Sequence, residues 1–362
     1  MMRPLLLACV ALLLAGCETL AYYGKGVAGQ WRFYGAREPI AKVLQRDDLA
    51  PETRRRLELV GEIRRFARDE LALPVKGQYR DYVQLQTSSV AWSVFAAPEL
   101  SLEPYRWCYL FRTLCVEYRG YFREADAQAY AEKLRARGYE THIGEVAAFS
   151  SLGLLDDPVT SVLAAYPDDL LALVLFHELA HSVLYVKDDT AFNESFAEAV
   201  GEEGLRRWRA ARGAAGESPV VARYRAQQAL LVDVALATRT RLASLYAQPL
   251  AVDAKRVRKG EILAAAGAEY LARCAARPET AACTQRGWFD DGLNNARLNA
   301  VATYQHWVPA FTALMRAGED PGKLKHFLRT AKALSRMPRR ERDAVLRALM
   351  PATAEPAGAT TP

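Results

Sequence analysis

The segment His177-Glu178-Leu179-Ala180-His181 places two histidines four residues apart, so on a helix both side chains project from one face with Glu178 beside them. The run before it is apolar through Phe176 and starts at Asp168, directly after Pro167, which suits a helix N-terminus. A helix that is apolar on nearly every face must be buried. Three ionisable side chains ending such a helix are costly unless a divalent cation satisfies them. The segment therefore predicts a buried helix with a metal-binding end.

A third ligand is available downstream, in the segment Phe192-Asn193-Glu194-Ser195-Phe196-Ala197-Glu198. A catalytic zinc usually takes three protein ligands and keeps one position for water, and two histidines with one glutamate are a known set. Asn193 predicts a helix start, so Glu194 and Glu198 lie one turn apart on one face. We predict Glu194 as the third ligand. Glu198, with Asn193 beside it, is predicted to orient a ligating imidazole through its other ring nitrogen. Two solvated helix acids are the alternative, which the upstream histidine pair disfavours.

The H-E-x-x-H motif followed by Asn193-Glu194 and a helix resembles the gluzincin peptidases, the class of thermolysin and the aminopeptidase N-like enzymes. In that class the glutamate of the Asn-Glu pair is the third zinc ligand. Residues 177–197 are also similar to a bacterial lipoprotein family of predicted aminopeptidases. This likeness extends over most of the chain and includes residues 95–99, 119–122 and 294–296. The segment between His181 and Glu194 is shorter than in better-known gluzincins, which keeps Glu198 as an alternative ligand.

Motif and resemblance together predict peptide-bond hydrolysis with one Zn²⁺ per chain and a peptide as substrate. Glu178 is the expected general base, which takes a proton from water and later passes it to the leaving amine. Tyr304 and His306 are candidates for stabilising the oxyanion, with core packing as the alternative for each. An aminopeptidase is the first expectation, although the Gly-x-Met-Glu-Asn element that holds a free amine in aminopeptidase N-like enzymes is absent. An envelope endopeptidase using the same residues and a non-catalytic zinc-binding lipoprotein are the alternatives.

The start of the chain has the order of a secretory signal. Met1-Met2-Arg3 is positively charged, and the apolar residues 4–14 are too few to span a bilayer as a permanent helix. Leu14-Ala15-Gly16-Cys17 looks like a lipobox, so cleavage would leave Cys17 as a lipidated first residue. Similar lipoproteins with Glu after the cysteine tend to reach the outer membrane. We therefore expect an envelope protein anchored by lipid and facing the periplasm. Ordinary cleavage, with Cys17 merely present, is the alternative.

The charge balance argues against a nucleic-acid partner. The chain has 48 Lys and Arg against 42 Asp and Glu, a net charge of +6, and its basic clusters lie beside acids in amphipathic helical patterns. These clusters are predicted to be solvated helix faces. The membrane is the one partner besides substrate that the sequence indicates, and protein partners stay open.

Four cysteines outside the signal form two close pairs, Cys108 with Cys115 and Cys274 with Cys283. In an exported protein this pattern predicts two local disulfides, although four cysteines allow three connectivities. Neither pair has the spacing of a zinc ribbon, so we predict no second metal site.

The succession of patterns predicts an α+β fold, mostly α, with a zincin-like catalytic core. Helices are predicted over residues 27–45, 51–73, 124–137 and 168–185 and over most of 193–349, with β-rich stretches over 83–122 and 139–144. We expect a small antiparallel or mixed sheet packed on the 168–185 helix, with residues 144–153 as an edge strand for the substrate backbone. The expected segments are a signal at 1–16, a lipidated tether at 17–25, an N-terminal part at 26–192, a helical part at 193–350 that completes the zinc site, and a disordered tail at 351–362.

Overall fold

The computed structural model describes residues 2–109, 114–146, 155–187, 189–214, 216–277, 283–290, 292–301, 307–316 and 323–350, with side chains from Thr19 onward other than those of Tyr109, Leu114 and Lys323. The fold is α+β and mostly helical, as predicted. The helices are α1 (Met2–Gly35), α2 (Ile40–Val43), α3 (Pro51–Asp69), α4 (Glu124–Arg135), α5 (Ser161–Ala164), α6 (Asp168–His181), α7 (Thr190–Ala211), α8 (Pro219–Tyr246), α9 (Val252–Ala275), α10 (Arg286–Asp290), α11 (Asn295–Val301), α12 (Val308–Arg316), α13 (Lys323–Leu334) and α14 (Arg339–Leu349). The strands are β1 (Glu38–Pro39), β2 (Asp81–Val83), β3 (Ala91–Pro98), β4 (Trp107–Tyr109), β5 (Leu114–Val116), β6 (Arg119–Tyr121), β7 (Tyr139–Val146) and β8 (Val159–Thr160).

The main core is helical and surrounds α6. This helix packs chiefly against α7 and α3, and its Phe176 is fully buried. The C-terminal helices close over α7 from the other side, where the Phe196 ring lies 5.9 Å from the rings of both Phe311 and Phe327. Residues on both sides of the expected boundary at 192/193 therefore share one hydrophobic core, and that boundary falls inside α7.

The larger sheet is antiparallel, in the order β6-β3-β7, and every residue of β3 pairs with β7, from Ala91 opposite Val146 to Pro98 opposite Tyr139. The buried side chains of this sheet cluster with those of α4 and not with those of α6. The apolar face of the amphipathic helix α4 covers the sheet. A second, mixed sheet in the order β1-β2-β8 instead contributes Tyr82 and Val159 to the core around α6.

Helices α8 to α11 form a second cluster that is tied to the larger sheet through Asn295. This residue is fully buried, and its amide group donates hydrogen bonds to the carbonyl oxygens of Pro98, Glu99 and Ser101, at 2.9 to 3.0 Å. The hydroxyl group of Tyr246 donates to the Asn295 Oδ1 atom at 2.9 Å. One polar side chain thus fixes α11 against the end of β3.

Both predicted disulfides are present, Cys108–Cys115 across the β4-β5 hairpin and Cys274–Cys283 between the last turn of α9 and the segment that follows it. The helix predicted over residues 27–45 is wrong at its end, because α1 stops at Gly35 and Pro39 lies in a short strand. The expected tether at 17–25 is helical throughout, as part of α1. Among the described residues, no helix combines the length and the apolar character needed to cross a membrane.

Candidate metal centre

The histidine pair lies at the C-terminal end of α6, where the sequence places it. The helix begins after Pro167, and its first acid, Asp168, pairs with Arg55 at 2.8 Å and with Arg56. Acids at a helix N-terminus interact favourably with the helix dipole, so these pairs fix the start of α6. The side chain of His181 is 5% exposed, which makes its imidazole costly to bury unless a ligand or hydrogen bond satisfies it.

Helix α7 brings the glutamates to this face because two glycines let α6 and α7 approach closely. A Cβ atom at Gly201 would lie 3.1 Å from the carbonyl oxygen of Leu173 and 3.3 Å from the Cβ atom of His177. A Cβ atom at Gly204 would lie 2.8 Å from the ring of Phe176. Any larger residue at these positions would push α7 away from the histidines.

Three side chains converge between the two helices: His177, His181 and Glu194 each offer a ligand atom, and these atoms lie within 4.8 Å of one another. The Glu194 Oε2 atom is 3.4 Å from His177 Nε2 and 3.8 Å from His181 Nε2. Tetrahedral ligands at zinc distances lie roughly 3.3 to 3.6 Å apart, so the first of these separations lies in that range and the second is slightly wider. The Nδ1 atom of His181 is buried without a hydrogen-bond partner among the described residues, so this imidazole is a costly group to bury unless an ion binds it.

Glu198 lies on the opposite side of the His177 ring from Glu194. Its Oε2 atom is 3.3 Å from His177 Nδ1, while Glu194 faces Nε2. One imidazole is thus held between two carboxylates, with one ring nitrogen toward the ligand cluster and the other toward Glu198. This is the geometry in which an outer carboxylate fixes the tautomer and orientation of a metal ligand.

Residues 21–346 match a family model described as "Putative aminopeptidase". The chain belongs to this family. The matched range contains both histidines, Glu178, Glu194 and Glu198, and the description indicates a hydrolase. No curated protein and no solved structure matches the chain.

Asn193 does not start helix α7, as the sequence predicted, but lies inside its first turn. Helix α7 begins at Thr190, with Asp189 as the cap that accepts a hydrogen bond from the backbone N–H of Phe192 at 3.1 Å. The expected start at Asn193 is therefore wrong. The buried Asn193 amide makes two hydrogen bonds of 2.8 Å with the backbone of Val186. It fastens the connection between α6 and α7 and so sets how far Glu194 lies from the histidines.

The remaining sequence candidates fall outside what the structure describes. Tyr304 and His306 lie in the gap between residues 301 and 307, and Cys17 is described only as part of the backbone of α1. Two tyrosines that the sequence did not indicate interact electrostatically with the site. Burial raises the pKa of Tyr79, with a contribution from the charge of Glu178, and burial together with Glu194 raises the pKa of Tyr118. Tyr118 directly precedes the Arg119-Gly120-Tyr121 segment of the family likeness, and this position is the one sequence feature that could have indicated it.

The two histidines have opposite acid–base properties in the metal-free protein. Burial alone would lower the pKa of His177, but the carboxylates of Glu194 and Glu198 outweigh it and raise that pKa to about 10. Burial, followed by the charge of His177, lowers the pKa of His181 to about 4. The pKa of Glu194 is lowered: burial opposes ionisation, but the two histidines overcome this effect. Near neutral pH the metal-free site therefore contains one imidazolium, one neutral imidazole and a carboxylate.

This charge state predicts that zinc binding releases about one proton per chain between pH 7 and 8. His177 must lose its proton to become a ligand, whereas His181 and Glu194 are already deprotonated. Zinc affinity should consequently increase with pH until His177 titrates. Calorimetric titration of metal-free protein with zinc, in buffers of different ionisation enthalpy, measures the released proton directly. A proton count of zero in this range would show that His177 is neutral or does not bind the metal.

Replacing Glu198 with Gln should weaken zinc binding by about 10- to 100-fold, the usual effect of losing an outer-shell carboxylate. The amide keeps the shape but loses the charge that stabilises the His177 N–H group on the side away from the ligands. Competition with a chelator of known affinity gives the zinc dissociation constant. Glu202→Gln is the matched control, because it removes the same charge one helical turn farther along α7, where Glu202 pairs with Arg225. Equal zinc affinity in the two variants would contradict the role of Glu198.

Proposed function

We propose that this protein is a zinc-dependent aminopeptidase of the cell envelope with Glu178 as its general base. The observation that carries the proposal is the three-residue cluster of His177, His181 and Glu194, next to a glutamate that is not part of it. A structural zinc site is usually closed by four protein ligands, whereas two histidines and one glutamate leave a position open, which is the catalytic pattern. The family description supports a peptide substrate and a free N-terminus.

The residues take distinct roles in this proposal. His177, His181 and Glu194 hold the zinc ion, and Glu198 keeps the His177 ring in its ligating orientation. When bound, the ion supplies Lewis-acid chemistry, which polarises a carbonyl group and acidifies water. Glu178 accepts the proton that water loses on attacking the peptide carbonyl and delivers it to the departing amine. Tyr304 and His306 stay candidates for stabilising the oxyanion, and Tyr118, which interacts electrostatically with Glu194, is a third.

The edge of the larger sheet is the proposed path of the substrate backbone. In the order β6-β3-β7, strand β7 is an outer strand. On its second edge the carbonyl oxygen of Thr141 accepts a hydrogen bond from Asn294 at 3.1 Å, and the edge from Ile143 onward pairs with no described strand. An extended peptide can add to such an edge through main-chain hydrogen bonds. Residues 144–146 of the predicted edge segment lie at the end of β7, and residues 147–153 lie outside the described part of the chain.

The proposed location rests on the sequence alone. The lipobox-like segment ending in Cys17 supports a lipidated N-terminus, and the glutamate after it supports the outer membrane facing the periplasm.

Metal content and cleavage of matched peptides test the proposal. The full chain, purified in detergent, is expected to hold about one zinc ion and to cleave peptides with a free N-terminus while leaving amine-blocked versions intact. Equal cleavage of blocked peptides would make it an endopeptidase, the alternative that needs no residue to hold a free amine. Zinc without cleavage of either peptide would indicate a non-catalytic site. A chain that binds no divalent metal would refute the proposal.

A further inference from the structure

Helix α1 exposes a row of large apolar side chains along one face. Leu20 is 74% exposed, Tyr23 44%, Val27 66% and Trp31 81%. Their spacing of three or four residues places all four on one side of the helix. We call these four residues the outer face of α1. Isolated exposed apolar residues are ordinary, but a continuous helical row of them indicates a binding surface.

The opposite side of α1 is packed on the body of the protein, so the outer face does not belong to a loose segment. The ring of Tyr22 lies 5.5 Å from that of Tyr121 in an edge-on contact. Gly29 is buried against Phe122, whose ring atoms would lie 2.6 Å from a Cβ atom at that position. Phe33 is buried in a small cluster with the second sheet. The protein therefore presents the outer face on a fixed support.

The chemistry of the outer face fits a bilayer surface. Tyr and Trp prefer the interface between lipid and water because each ring has an apolar body and a polar group. Residues 19–37 contain three basic residues and no acidic one. Lys25 pairs with Asp126 and Arg37 donates to the carbonyl oxygens of Tyr34 and Asp156, so the charge that favours anionic head groups is chiefly that of Arg32, at an exposed position. A helix with this composition lies in the membrane plane with its apolar side in the head-group region.

The proposed acylation site identifies the bilayer as the occupant. Leu20 follows Cys17 by three residues of one continuous helix, a rise of about 5 Å, and Trp31 lies about 21 Å from Cys17 along the same axis. Acyl chains on Cys17 would thus bring the near end of the outer face to the lipid surface. This step rests on the proposed lipidation, whereas the exposure and the packing of α1 do not.

We propose that the outer face of α1 binds the surface of the lipid bilayer, so that α1 lies along the membrane and holds the catalytic body in one orientation. In this proposal residues 17–25 are not a flexible tether but part of a helix that contacts the membrane.

Fluorescent labels on the full chain test this proposal. Val27→Cys and Trp31→Cys variants, labelled with a polarity-sensitive dye, are reconstituted into vesicles of phosphatidylethanolamine and phosphatidylglycerol. Lys332→Cys, at an exposed position of α13, is the matched control. Labels on the outer face should emit at shorter wavelength, resist quenching by aqueous iodide and be quenched by lipids that carry a spin label near the head group. The label at position 332 should emit at longer wavelength, be quenched by iodide and not be quenched by the spin-labelled lipids.

Two results would overturn the proposal. Iodide quenching of the Val27 and Trp31 labels equal to that of the control would place the outer face in water. Protection from iodide without quenching by lipid would show that protein covers it, a second copy of the chain or another partner. The mass of the N-terminal peptide, measured on the same samples, shows whether Cys17 is acylated, so the test of the lipid anchor is independent of the test of the outer face. If Cys17 is acylated but the labels are in water, the lipid anchor is supported and membrane binding by the outer face is refuted. If lipid quenches the labels on a chain that is not acylated, membrane binding by the outer face is supported without the anchor.

Discussion

Replacing Glu178 with Gln is expected to lower kcat for peptide cleavage by about 10²- to 10⁴-fold while the protein still binds one zinc ion. Gln has the same shape but cannot accept and return a proton at neutral pH. Zinc should stay because Glu178 is not one of the three residues whose ligand atoms converge. Steady-state kinetics on a free-amine peptide and metal analysis of the same sample measure both effects.

The control for this variant is Glu58→Gln, the same substitution at an exposed position of α3. It should leave kcat and zinc content unchanged. If Glu178→Gln kept wild-type kcat, another group would be the base. If it lost zinc together with activity, Glu178 would belong to the metal-holding set, and the assignment of Glu194 would need revision.

Replacing Arg342 with Met should lower the free energy of unfolding by about 3 to 5 kcal/mol, because it leaves Asp189 as a buried charge without its partner. The side chains of Asp189 and Arg342 are each 3% exposed, and the guanidinium group of Arg342 donates to the Asp189 carboxylate. Arg342 also lies 4.8 Å above the ring of Phe192. Urea unfolding followed by circular dichroism gives the stability difference.

A double variant separates loss of charge compensation from loss of packing. Adding Asp189→Asn to Arg342→Met removes the buried charge and keeps a residue that can cap α7, so part of the lost stability should return. Arg340→Met, at an exposed position of the same helix, should change stability by less than about 0.5 kcal/mol. A double variant less stable than Arg342→Met alone would show that the effect does not come from the unpaired carboxylate.

The sequence predicts the candidate centre better than the architecture around it. The spacing of His177 and His181 fixes their common face by helical geometry alone, and each disulfide closes a short local loop. The choice between Glu194 and Glu198 depends on how α7 is rotated and how close it lies to α6. Gly201 and the Asn193 contact with Val186 decide this, and neither can be recognised as decisive without coordinates.

Long-range contacts explain the errors. Both Asp189 and Asn193 are good helix-capping residues, so local preference could not choose between them. Asp189 caps α7 and is also buried against Arg342, 153 residues later in the chain. Which helix covers the β6-β3-β7 sheet is likewise a matter of non-local packing, since the apolar patterns of α4 and α6 both suit a sheet face.

The contact between Asp189 and Arg342 also bears on the order of events during synthesis. The helix that supplies Glu194 is capped by Asp189, whose carboxylate pairs with Arg342, near the C-terminal end of the described chain. A nascent chain that has not reached residue 342 has α6 and α7 but lacks the arginine that secures the start of α7. The proposed peptidase activity should therefore require a chain that extends through residue 342.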